Sequence, residues 1–143
     1  MKKAIILLTA LGILVMFNPS CKSAGFEWNP VGNWTCVIVG SWGHTWSETL
    51  TLTGDASGGM INGWEFWTTG NPGTWEKAGD CSISMVFDFP HTDYRDHLEF
   101  TCNSSEASPN TMSGSGTWYY YYMGVLDDTF SMTITGTKTS NLQ

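Results

Sequence analysis

The sequence predicts an all-β protein, a single domain built as an eight-stranded antiparallel up-and-down β-barrel. Three observations carry that expectation. From Gly32 onward apolar and hydroxyl side chains alternate in short runs, and no stretch sustains the apolar period of a helix. Gly, Asn, Asp and Pro punctuate the runs so closely that every connection is hairpin-sized. The composition agrees: 143 residues with 16 glycines, 8 tryptophans and only 13% charged side chains exclude a disordered chain, a coiled coil and a helical bundle.

The candidate strands run in order over residues 32–40, 45–54, 59–69, 73–78, 81–88, 95–103, 110–122 and 126–137. In the first, Trp34, Cys36 and Ile38 share a face; in the second, Trp46, Leu50 and Leu52 do so with Glu48 between them. The third and seventh bring Trp64 and Phe66, then Trp118, Tyr120 and Tyr122, to the same phase. Ile83, Met85 and Phe87 line one side of the fifth strand, and Phe130, Met132 and Ile134 one side of the last. Thr and Ser fill most of the opposite positions, so each strand has one dry and one watered face. A meander of such strands hides the dry face and both edges together by closing on itself. A two-sheet sandwich would need longer crossovers than these loops supply.

Ahead of the barrel, Met1-Lys2-Lys3 and an uncharged run over residues 4–17 end at Asn18-Pro19-Ser20-Cys21. This is the pattern of an export signal, residues 1–20, too short to span a bilayer as a helix. A linker over residues 21–31, a barrel domain over 32–138 and a tail over 139–143 complete the expected organisation. Losing the signal leaves 4 basic against 13 acidic side chains, from 6 and 13 in the whole chain. So anionic a surface excludes nucleic acid as a partner held by a basic patch.

Several short motifs resemble a known family. Gly32-Asn33-Trp34, Thr49-Leu50-Thr51-Leu52-Thr53, Gly73-Thr74-Trp75 and Thr111-Met112-Ser113-Gly114 are similar to lipocalin-like domains of bacterial exported proteins, and avidin-type barrels share some of this grammar. The resemblance implies that Trp34 packs across the closed end of the barrel, with Lys138 as its basic partner. Cys21, directly after the apolar run, resembles the lipidated cysteine of bacterial lipoproteins, implying a membrane anchor in the cell envelope, periplasmic or outer-membrane. Cleavage after Ser23 is the alternative and would release a secreted protein.

Four cysteines, Cys21, Cys36, Cys81 and Cys102, allow three full pairings. Folding the fifth and sixth strands about a turn over residues 90–93 sets Cys81 opposite Cys102, and a disulfide is expected there. Two buried thiols are the alternative. With Cys21 lipidated, Cys36 stays a thiol; otherwise Cys21 and Cys36 can pair.

Candidate chemistry is sparse. His91, Asp93, Asp96 and His97 fall within seven residues, but without a recognised ligand spacing they read as a polar hairpin tip, and no metal or cofactor is expected. His44 stands alone in a turn and is expected to be solvated. The Asn33 and Asn103 sequons are treated as coincidental. No nucleophile elbow, phosphate loop or dinucleotide fingerprint occurs, so an enzyme is not expected. The aromatics carry the leading expectation, a small hydrophobic or aromatic ligand held near one open end by Trp46, Glu48, Trp64, Trp118 and Tyr120. The alternative uses the same residues to fill the interior, leaving a structural or protein-contact module.

Overall fold

A computed structural model of the chain describes residues 25–64 and 72–142. The expected export signal, Cys21 and Phe66 lie outside the described residues. Eight strands follow one another: β1 (Gly32–Gly40), β2 (Thr45–Gly54), β3 (Gly58–Asn62), β4 (Gly73–Gly79), β5 (Ser82–Pro90), β6 (Tyr94–Ser105), β7 (Ser108–Tyr122) and β8 (Val125–Ser140). Each pairs antiparallel with the next, and β8 returns to pair with β1, closing the barrel.

Among the described residues the interior is filled by side chains. Trp34, Cys36, Ile38, Leu50, Leu52, Met85, Phe87, Leu98, Phe100 and Ile134 are buried in one continuous core. Eight strands enclose a space that such side chains fill. Bulky rings fit because small residues face them: Phe100 pairs with Gly116, where a Cβ would stand 2.1 Å from the Glu99 carbonyl and 2.5 Å from the Phe100 ring.

One end is plugged. The segment before β1 does not behave as a loose linker: Trp28 is buried, its backbone N–H donates to the Asp80 carbonyl at 2.8 Å, and its indole N–H donates to the Pro109 carbonyl at 3.1 Å. Its ring meets Trp34 edge-on at 5.9 Å. Trp34 donates to the Pro30 carbonyl, while Lys138 Nζ lies 5.8 Å from the Trp34 ring centre. These are the positions that the resemblance implied for Trp34 and Lys138. The other end is the mouth, bounded by the β1–β2, β5–β6 and β7–β8 turns.

Three expectations are corrected. Among the described residues the third strand ends at Asn62 and buries Ile61, with Met60 outside, while residues 65–69 of the expected strand lie outside the described residues. Gly63, at φ 101°, then resets the phase so that Trp64 faces inward again. The β5–β6 hairpin sits two residues from the expected register, placing Ile83 opposite Cys102 and Asn103 opposite Ser82. Cys81 is therefore diagonal to Cys102, at a Cα spacing of roughly 7–8 Å where a bridge spans at most about 6.8 Å. Cys102 is a free, buried thiol, so the bridge between Cys81 and Cys102 does not form. An even slip keeps every side chain on its own face, which is why alternation does not expose it. Lastly, Tyr122 lies beyond the barrel wall and is exposed, not part of the lining.

Candidate functional site

The β7–β8 hairpin is the longest in the barrel and turns through Met123 and Gly124, both at positive φ (49° and 80°), the geometry of a tight hairpin turn that follows strand twist. Tyr120 pairs with Asp128, but Tyr121 pairs with Leu126, so Asp127 is an extra residue bulged out of β8. Consecutive strand residues ordinarily face opposite ways; the bulge re-aims the chain so that Asp127 and Asp128 both line the same cleft.

That cleft, about 400 Å³, opens at the mouth between β6, β7 and β8. Tyr94, Trp118, Tyr120 and Phe130 wall it, and Asp96, Asp127 and Asp128 supply its polar groups. Trp118 lies 4.8 Å from Phe130 and 6.4 Å from Tyr120 between ring centres, the latter pair perpendicular. Trp42, from the β1–β2 turn, closes one flank, 4.8 Å from Phe130 and 5.0 Å from Trp118.

At the base stands Asp96, only 1% exposed. Trp118 Nε1 donates to its Oδ1 at 2.8 Å. Its Oδ2 accepts no hydrogen bond; His91 Nε2 is 3.4 Å away but misaligned. Burial raises the Asp96 carboxyl above the ordinary range, against the opposing effects of Trp118 and His91. The Tyr120 phenol is likewise raised, first by desolvation and then by the charges of Asp96 and Asp127. Arg95, next to Asp96 in sequence, points to the other face, where both its Nε (2.6 Å) and Nη2 (3.0 Å) donate to Asp88.

Of the residues expected to hold a ligand, Trp118 and Tyr120 line the cleft. Trp64 does not: at 2% exposure it packs in the core, 4.7 Å from Phe87. Trp46 is half-buried beneath Trp42, at 5.7 Å, and His44, though exposed, stacks on Trp46 at 4.5 Å. Glu48 faces inward from β2 opposite Cys36. Burial, with the Glu48 charge adding to it, pushes the Cys36 thiol up to about 12, and burial raises Cys102 as well. The His91 to His97 stretch does not converge: His91 turns in to Asp96, while His97 turns out between Asp88 (3.3 Å) and Glu99 (3.0 Å).

Asp96 was not among the expected site residues, although Leu98, Phe100 and Cys102 set a phase that carries it inward. It falls inside the expected sixth strand, 95–103, but grouping it with His91, Asp93 and His97 as a polar hairpin tip masks that signal. A larger depression, about 490 Å³, lies on the outer wall along Thr35, Val37, Ser113, Thr135 and Thr137. Hydroxyls on a convex barrel wall offer neither an aromatic face nor a buried charge, so the mouth cleft is the stronger site.

No family model, curated protein or solved structure matches this chain.

Proposed function

We propose that the protein is an exported lipocalin-like barrel, held to the cell envelope through a lipidated Cys21, that binds a small aromatic or hydrophobic molecule at its mouth. The mouth cleft carries the proposal: its volume of about 400 Å³ suits one compact ligand, and four aromatic side chains wall it. The filled core among the described residues favours the rim as the place of binding over the deep cavity the fold can enclose in other barrels. Ligand-detected NMR with 2-naphthol tests this reading. Saturation transfer from the protein that is lost on Tyr120→Ala supports it, and no transfer at millimolar probe removes it. The anchor has a separate test: the exported chain gains the mass of a diacylglyceryl group, and Cys21→Ala abolishes the gain.

The alternative, a contact module without a small ligand, is favoured by a different observation. The β7–β8 tip exposes Met123 (68%) and Val125 (70%) side by side with Tyr122 and Leu126. Such a patch is the kind of surface that a protein partner covers.

A further inference from the structure

The mouth cleft combines aromatic faces with three carboxylates, and the two together select a ligand class. Aromatic faces attract cations through the ring quadrupole, most strongly where water is excluded. Three of the seven lining side chains are carboxylates, and none is Lys or Arg. The nearby guanidinium of Arg95 is held on the outer face by Asp88, so among the described residues the one basic group beside Asp96 is the His91 imidazole, 3.4 Å from Oδ2. Asp96 is 1% exposed, with one oxygen accepting from Trp118 and the other accepting no hydrogen bond. A buried carboxylate in that condition is costly without an opposite charge close by. The bulge at Asp127 adds a second and third carboxylate at the rim by turning two consecutive residues into one opening.

We propose that the cleft takes an organic ammonium cation, its alkylated head held against the walls of Trp118, Tyr120 and Phe130 and its charge held by Asp96, Asp127 and Asp128. This rests on the mouth-binding reading and narrows it. A quaternary head carries no N–H to donate, so it is held by the field of the carboxylates and by contact with the ring faces. His91, stacked on Tyr94 at 4.0 Å, stands 3.4 Å from the same carboxylate.

Choline and its uncharged carbon isostere 3,3-dimethyl-1-butanol separate charge from shape. Calorimetric titration of the mature protein, with ligand-detected NMR for weak binding, is expected to give choline about ten-fold tighter than the isostere. The Asp127→Asn/Asp128→Asn double variant, altered only at exposed positions, is expected to remove most of that preference while keeping the circular dichroism spectrum and melting temperature. Raising salt is expected to weaken choline and leave the isostere unchanged. Equal binding of the two probes overturns the cation inference and leaves the mouth site standing. Binding of choline that the double variant does not weaken overturns it too. If neither these probes nor 2-naphthol binds, the mouth-binding reading falls and this inference with it.

Discussion

Replacing Trp118 by Phe isolates the hydrogen bond beneath the cleft. The smaller ring stays on Phe130, but the indole N–H that donates to Asp96 at 2.8 Å is gone. A hydrogen bond to a charged, buried acceptor contributes about 1.5–3 kcal/mol. The lost ring area adds about 1 kcal/mol at the usual apolar coefficient. Trp118→Phe is therefore expected to destabilise the protein by about 2.5–4 kcal/mol near neutral pH. In an Asp96→Leu background only the packing part, about 1 kcal/mol, remains, giving a coupling of about 2 kcal/mol. The pH dependence has a definite sign. Burial raises the folded-state carboxyl of Asp96, so its neutral form favours folding: that contribution is complete below the unfolded aspartate range and is lost as pH rises through the folded value. Removing the donor deepens the loss, so the penalty for Trp118→Phe grows from pH 4 to pH 8. Urea denaturation followed by circular dichroism at both pH values measures it. A coupling under about 0.5 kcal/mol, or a penalty that does not change with pH, would refute the assignment of Trp118 as the group that holds the Asp96 charge.

Three further outcomes are expected. Cys36 and Cys102 are buried and free, with the Cys36 thiol pushed up to about 12, so both resist a disulfide-exchange reagent in the native state and react on unfolding; prompt native labelling of Cys102 contradicts the register. Met123, at φ 49° in the β7–β8 turn, stores backbone strain that Asn tolerates, and Met123→Asn is expected to gain roughly 0.5–1 kcal/mol, read as a higher melting temperature. Gly116→Ala places a methyl 2.1 Å from the Glu99 carbonyl and against the Phe100 ring; a loss of about 2–3 kcal/mol is expected in denaturant titration, and a neutral result would mean that β6 and β7 are not packed as described.

Strand number, strand order and the dry face are legible in the sequence because a two-residue period leaves a mark on every strand, as the Trp34, Cys36, Ile38 series in β1 does. Pairing register is not legible in the same way. Sliding β5 past β6 by two residues leaves Ile83, Met85 and Phe87 inside, so the pattern that identifies the strands is silent on which partner Cys102 meets. Local irregularities are missed for a related reason. Gly63 resets the phase of the third strand, and the bulge at Asp127 carries a second carboxylate to the cleft; both break the alternation on which the reading depends. Trp118 and Tyr120 are found from phase alone, whereas Trp42 is not, since it reaches the mouth from a turn where alternation has no meaning.

The strap through Trp28 has a consequence for orientation. The chain enters the barrel at the plugged pole, its backbone bonded to Asp80 and its indole to Pro109. Three residues lie between Cys21 and Gly25, a tether of about 14 Å at full stretch. A protein moored at Cys21 would stand on its sealed base, presenting the acidic aromatic rim to the aqueous side, and cargo could be collected or surrendered there without the barrel having to leave the bilayer surface.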